Sequence, residues 1–189
     1  MKPKAEEKFK DLEKKIKQKF HSKNSNGWVW PRASDYSDKF KGKTKRVRGF
    51  FGTSNIIIIT EKPARPYNKE RLEKFPTKRD VFLYNVLGEL GLENAHLTDL
   101  VKESDIVGKI KPEQVFNSKE FLIKEIEILR SCNRRKLKFI ALSKDVDSYL
   151  KACFGEASRY VEYFYRFSKL KKHERERKFK KELELILKS

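Results

Sequence analysis

Four consecutive isoleucines at residues 56–59 lead directly into Thr60, Glu61, Lys62 and Pro63. A short apolar run without polar alternation is typical of a strand that helices bury on both faces. Such strands form parallel sheets, in which functional loops follow the carboxyl ends of the strands. The sequence therefore predicts a buried parallel strand at residues 55–60, followed by a functional loop.

Strand-like and helix-like segments alternate along the rest of the chain. Thr77 and Asp80 mark a predicted helix start, Asn117 and Glu120 form a possible capping box, and Gly155 ends a short helix. This order predicts a mainly parallel four-stranded sheet in a three-layer α/β/α sandwich, with further basic helices at both ends of the chain. Helices are expected at 77–90, 117–130, 145–153 and 169–188, and the other strands at 95–101, 138–143 and 159–167.

Residues 4–20 carry Phe9, Leu12, Ile16 and Phe20 on one helical stripe, with lysines on the remaining surface. The segment is either a helix packed on the domain or a mobile basic arm, and the regular stripe favours the packed helix. Because a polar stretch without periodicity follows, we predict an N-terminal helix and linker at residues 1–24 and a single α/β domain at residues 25–189.

The charge balance indicates a polyanionic partner. The 189 residues include 46 Lys and Arg against 27 Asp and Glu, a formal net charge of +19. Nucleic acid is the first candidate and an anionic membrane surface the second. Residues 39–48 contain six cations and no acid, so they form either a solvated charged loop or a phosphate-contacting loop.

Other classes of protein fit the composition less well. No apolar run approaches the ~20 residues of a membrane span, and no signal-peptide pattern opens the chain. We therefore expect a cytoplasmic monomer, nucleoid-associated if prokaryotic, without membrane contact. Cys132 and Cys153 are too few for a four-thiolate site, no Gly-rich phosphate loop follows the first strand, and no cofactor or metal is predicted.

Polar residues follow three of the predicted strands. Glu61 and Lys62 follow the first, Asp99 and Lys102 lie at the end of the second, and the segment from Arg166 to Lys171 begins at the end of the last. Because parallel strands end at one edge, two carboxylates, several cations and a hydroxyl are expected to converge. Each residue has a structural alternative: Glu61 as a surface ion pair, Asp99 as a turn cap and Ser168 as a helix cap.

These segments resemble those of the uracil-DNA glycosylase superfamily. The sequence TEKPA at residues 60–64 keeps the Glu and Pro of the Gly-Glu-x-Pro-Gly type loop. TDLVK at 98–102 is similar to Thr-Asn-x-Val-Lys, and RFSKL at 166–170 keeps Ser168 and Leu170 of His-Pro-Ser-Pro-Leu. The order and spacing of the segments fit over roughly residues 50–180, and the second motif is the most specific.

The resemblance implies that the chain flips a base out of DNA and hydrolyses its N-glycosidic bond. Glu61 would then position or activate water or stabilise charge on the sugar, and Asp99 would read the base edge. Phe75, or else Tyr67, would stack on the base, although Phe75 equally suits a core. Leu170 would enter the base stack or, alternatively, pack its helix. The cations expected to contact DNA are Lys62, Lys102, Lys169 and Lys171.

The chain also departs from the family pattern. Arg166 stands where the family has the His that supports the departing base, and it is either an electrostatic replacement or a phosphate contact. Asp99 replaces Asn, which alters base preference or abolishes recognition, and the iron–sulfur branch is excluded. A DNA glycosylase is thus the first hypothesis. The alternatives are an inactive glycosylase-like DNA-binding protein and an unrelated nucleotide- or RNA-processing α/β enzyme.

Overall fold

The computed structural model describes residues 2–21, 27–36, 40–63, 78–103, 109–156, 158–162 and 171–188. Its four strands form one sheet in the order β2-β1-β3-β4, and every neighbouring pair is parallel. The predicted parallel sheet is thereby confirmed. The strands are β1 (Ile56–Thr60), β2 (His96–Asp99), β3 (Lys138–Ala141) and β4 (Ser158–Tyr160).

Five α-helices accompany the sheet in the described residues, together with three short 3₁₀ helices. Crossovers between parallel strands are almost always right-handed, and with the observed strand order this rule puts the helix between β1 and β2 on one face and the next two helices on the other, in agreement with the predicted three layers. The α-helices are α1 (Lys2–Lys19), α2 (Lys78–Glu89), α3 (Pro112–Cys132), α4 (Lys144–Phe154) and α5 (Lys172–Lys188). The 3₁₀ helices are Ala33–Tyr36, Gly42–Arg46 and Gly49–Phe51.

Helix α1 packs on the domain, as its apolar stripe predicts. Phe9, Leu12 and Ile16 are buried, and the Phe9 ring stacks on the imidazole of His96 with centroids 4.9 Å apart. At its end, the Lys19 ammonium pairs with Glu120 of α3 at 2.7 Å. The mobile-arm alternative is therefore wrong, because this helix covers part of the central core.

Helix α3 begins earlier than predicted. Pro112 occupies its first turn, where a missing N–H costs no hydrogen bond, and Gln114 Oε1 accepts from the Lys111 N–H at 2.9 Å. Asn117 and Glu120 lie inside the helix, so the predicted capping box at these residues is wrong. The Pro-Glu-Gln start was the stronger signal, because proline pre-organises a first turn.

The predicted limits of α4 are close to those observed. Ser143 Oγ accepts from the Val146 N–H at 3.3 Å, and Gly155 ends the helix at φ 62°, a conformation that glycine adopts without a Cβ clash. Strand β4 covers only the start of the predicted strand 159–167, with Tyr160 beside Ala141. Residues 163–170 lie outside the described residues.

Candidate functional site

The carboxyl ends of β1 and β2 lie side by side. Thr60 and Asp99 are register partners, and the Leu100 N–H donates to the Thr60 carbonyl at 2.9 Å. Pairing continues beyond the strands, since the Val101 N–H donates to the Glu61 carbonyl at 3.0 Å. The structure thus brings together the two loops that carry Glu61 and Asp99. The loop with Glu61 follows β1, which borders the point between β1 and β3 where the strand order reverses, the usual ligand position in such sheets, and the loop with Asp99 follows the neighbouring edge strand β2.

Asp99 is the most buried of the predicted site residues that carry a carboxyl group, with 1% of its surface exposed. The Thr60 hydroxyl donates to Asp99 Oδ1. Asp99 Oδ2 and the Trp30 indole N–H make no hydrogen bond of normal geometry within the part of the chain that the structure describes, although the indole is close enough to favour the ionised carboxyl. A buried carboxylate oxygen without a hydrogen bond is rare in proteins, so Oδ2 can accept one more hydrogen bond, from the Trp30 indole or from a ligand that displaces the indole.

Burial raises the pKa of Asp99 from 3.8 to about 7. The Thr60 hydrogen bond, the Lys102 ammonium and the Trp30 N–H favour the ionised form and partly offset this effect. The nearby carboxylate of Asp80 raises the pKa further. Asp99 therefore changes its protonation state near neutral pH, where it alternates between an acceptor-only carboxylate and a carboxyl that also donates.

A second buried cluster lies beneath the β2 loop and joins it to α3. The Lys102 ammonium pairs with Glu125 at 2.9 Å, and Glu125 also contacts His96 Nε2 at 3.0 Å. All three residues have 0% of their surface exposed. Burial alone raises the pKa of Glu125, but Lys102 and His96 outweigh it and hold the pKa below its usual range. The cluster is therefore a buried ion pair with a histidine attached.

Lys102 also fixes the backbone of the loop that carries Asp99. Its ammonium donates to the Asp99 carbonyl and to Thr98 Oγ1, both at 2.5 Å, while its N–H donates to Ser118 Oγ at 3.0 Å. This arrangement corrects the prediction that Lys102 contacts DNA, because a buried ammonium with these partners does not meet phosphates. Lys102 is instead a positioning residue for Asp99.

The other predicted residues divide into two groups. Glu61 and Lys62 are half-buried beside the end of β1. Lys171 is exposed at the start of α5, where its N–H donates to Glu174 at 2.7 Å. The remaining predictions fall outside the described residues, and they concern Tyr67, Phe75, Arg166, Ser168, Lys169 and Leu170.

The sequence analysis missed an acidic and aromatic group on the α2 side of Asp99. Asp80 is 6% exposed, and the Tyr84 hydroxyl donates to the Pro31 carbonyl at 2.5 Å. Burial and the charge of Asp80 raise the pKa of Tyr84 well above its usual value. Asp80 was interpreted only as part of a helix start, yet an acid four positions before a tyrosine on the helix face that meets the sheet was a usable signal.

Neither a metal site nor a membrane span is found in the parts of the chain covered by the structure. No group of three or more His, Cys, Asp or Glu side chains is arranged there to hold a metal ion. The helices within those ranges are all too short or too polar to cross a bilayer. Comparison of the chain with protein-family models, with curated proteins and with solved structures found no match.

Proposed function

We propose that the chain is a DNA glycosylase, which flips a damaged or mismatched base out of DNA and hydrolyses its N-glycosidic bond. The observation that carries this proposal is the pairing of the β1 and β2 ends, which sets Glu61 next to a buried Asp99 whose second carboxyl oxygen makes no hydrogen bond within the described residues. Two carboxyl groups in different environments suit a reaction that needs one group for water and another for the base.

Each carboxyl group has a distinct role in the proposal. Glu61 is half-buried, and it positions or activates the attacking water or stabilises positive charge on the sugar. Asp99 is held by Thr60 through one oxygen, and it presents the other oxygen to the edge of the flipped base. The excess of 46 cations over 27 acids supports DNA as the partner of this monomer, in the cytoplasm or nucleoid.

A second candidate is a glycosylase-like protein that binds DNA without chemistry. The burial of Lys102 favours it, because the cation of the most specific motif serves the fold rather than a ligand. In this candidate, Asp99 and Lys102 are retained as parts of a buried polar network, and the basic surface alone accounts for binding.

Base release under single-turnover conditions separates the two candidates. Duplexes with uracil, hypoxanthine, xanthine or a mismatch are incubated with excess protein, and the free base is measured. We expect release from at least one duplex, lowered about 10²- to 10⁴-fold by Glu61→Gln because the carboxylate that acts on water is removed. The matched control Glu127→Gln, at an exposed position of α3, keeps the wild-type rate.

The outcomes of this assay are distinct. Absence of release from every duplex, with DNA binding intact, selects the binding protein. Equal release by wild type and Glu61→Gln removes Glu61 from the chemistry and indicates a contaminating enzyme or another catalytic group. Turnover of free nucleotides without base release from DNA selects an unrelated nucleotide-processing enzyme.

The titration of Asp99 predicts the pH dependence of uracil release. Below pH 7 the protonated carboxyl donates to a uracil carbonyl, as an amide does, whereas the carboxylate above pH 7 repels it. We expect uracil release to fall about tenfold for each pH unit above 7, and Asp99→Asn to remove this fall. Release by wild type that stays constant from pH 5 to 9 and is unchanged by Asp99→Asn would exclude Asp99 from base reading.

A further inference from the structure

Eight exposed cations occupy two short segments that the candidate site does not use. Residues 41–46 contribute four of them beside α2, and residues 134–138 contribute four before and at the start of β3. None of the eight makes an ion pair within the described ranges, whereas Lys17, Lys19 and Lys151 each pair with an acid. We name this set the amino-edge patch: Lys41, Lys43, Lys45, Arg46, Arg134, Arg135, Lys136 and Lys138.

Both segments lie at the amino-terminal edge of the sheet. Lys138 begins β3, and its N–H donates to the Asn55 carbonyl just before β1 at 2.8 Å. The 3₁₀ helix Gly42–Arg46 packs on α2, where Thr44 lies against Gly88 near the helix end. Two residues after this 3₁₀ helix ends, the Arg48 N–H donates to the carbonyl of Glu93 at 2.9 Å. Glu93 lies three residues before β2 begins. The patch therefore faces away from Glu61 and Asp99.

The segment at residues 133–138 is held in place by side-chain amides. Asn133 Nδ2 donates to the Thr53 carbonyl at 3.1 Å and to the Leu129 carbonyl at 2.8 Å. Asn55 Nδ2 donates to the Lys136 carbonyl at 3.1 Å. Between these loops lies a cleft of about 390 Å³, which Arg134 and Arg135 line together with Asn94. Cations on a fixed backbone lose less conformational freedom when they bind phosphate.

We propose that the amino-edge patch is a second nucleic-acid-binding surface, which contacts the phosphate backbone independently of base sequence. Eight exposed cations that make no ion pair in the described ranges, two of them lining a cleft, suit phosphates, and such contacts position a strand without reading its bases. Strands of four or five residues separate the two edges by about 15 Å, and the edges face opposite directions. A straight duplex at the carboxyl edge does not reach the patch, so one chain holds two segments of nucleic acid. This inference does not depend on base excision.

The number of short duplexes bound by one chain tests the proposal. Undamaged duplexes of about one helical turn, ~10 base pairs, prevent one molecule from spanning both edges. By sedimentation at low salt, we expect two duplexes for each wild-type chain. One variant changes the four patch cations at residues 41–46 to Gln, and a second changes the four at residues 134–138. The combined patch variant, which carries all eight changes, should bind one duplex. The plot of log affinity against log salt should become shallower by about 0.9 for each phosphate that a variant no longer neutralises.

A control that matches the charge of each four-cation variant distinguishes a local surface from a general effect of net charge. It changes Lys8, Lys14, Lys15 and Lys181 to Gln, four exposed lysines on α1 and α5, and it should keep two duplexes. Circular dichroism establishes that every variant is folded. Base release from a single damaged duplex, where wild type shows it, should be unchanged in the patch variants.

Several results would overturn the proposal. The wild-type chain could bind only one duplex, or the combined patch variant could still bind two. The control could also lose as much binding as the four-cation patch variants do. Vesicles of phosphatidylserine and phosphatidylcholine provide the last comparison. If the patch variants no longer bind vesicles but keep both duplexes, the surface is a membrane-binding surface instead.

Discussion

Replacing Lys102 with Met is expected to lower the free energy of unfolding by about 3–5 kcal/mol, because it leaves the Glu125 carboxylate buried without its cation. His96 remains beside Glu125 but does not replace the ammonium. The change also removes the two hydrogen bonds from the ammonium to Thr98 and Asp99. Urea denaturation at pH 7, followed by circular dichroism, measures the decrease.

Two comparisons identify the cause of this decrease. The double variant Lys102→Met with Glu125→Gln removes both charges and should recover a large part of the stability. Lys151→Met breaks an ion pair in which the lysine side chain is 56% exposed, and it should change the unfolding free energy much less. If Lys102→Met costs no more than Lys151→Met, the buried pair does not stabilise the β2 loop.

Asp99→Asn is expected to stabilise the chain at neutral and higher pH. A carboxyl whose pKa is about 7 in the folded chain and 3.8 in the unfolded chain binds more protons when folded, so its ionisation opposes folding. The wild type therefore becomes less stable by up to about 4 kcal/mol as the pH rises from about 4 to 7. Asn is not subject to this effect, and its carbonyl still accepts from Thr60.

The measurement is the difference in unfolding free energy between Asp99→Asn and wild type across pH 4.5 to 8.5. Glu6, Glu120, Glu125 and Asp147, whose pKa values are lowered, contribute equally to both proteins and cancel. We expect the difference to grow steadily from pH 4.5 to about 7 and to stay constant above that pH, where Asp99 is ionised in both the folded and the unfolded chain. A constant difference would mean that Asp99 does not titrate near neutrality.

A carboxyl that lowers stability at neutral pH is more readily explained by function than by folding. Strongly perturbed groups cluster at sites that bind or transform ligands, since chemistry needs groups that change protonation state near pH 7. Stabilisation by Asp99→Asn together with altered base release would give Asp99 both properties. Stabilisation by Asp99→Asn without any change in base release from DNA would favour the second candidate, a protein that binds DNA without chemistry.

The fold was predictable because its strongest signals are local. The run of four isoleucines, the stripe of α1 and Gly155 each specify an element from a few neighbouring residues. The placement of Glu61 beside Asp99 also followed, since parallel strands end at one edge.

The partners of buried groups were not predictable in the same way. Lys102 meets Glu125 only because β2 and α3 pack together, and 22 residues separate the two positions in the sequence. Without that pairing, a lysine after a strand end suggests an exposed phosphate-binding residue. The polar group at Trp30, Asp80 and Tyr84 was missed for the same reason, because it too is assembled from distant segments.

The contact between α1 and α3 has a consequence for synthesis of the chain. Lys19 and Glu120 are 101 positions apart, and translation adds roughly 5–20 residues each second. The first helix therefore leaves the ribosome about 5–20 s before the helix that covers it has been made. During that interval Phe9 and Ile16 have no core to enter, and an isolated helix of 18 residues is marginal in water. Helix α1 is thus made well before it can reach its final position, and until α3 follows its apolar stripe is available to chaperones.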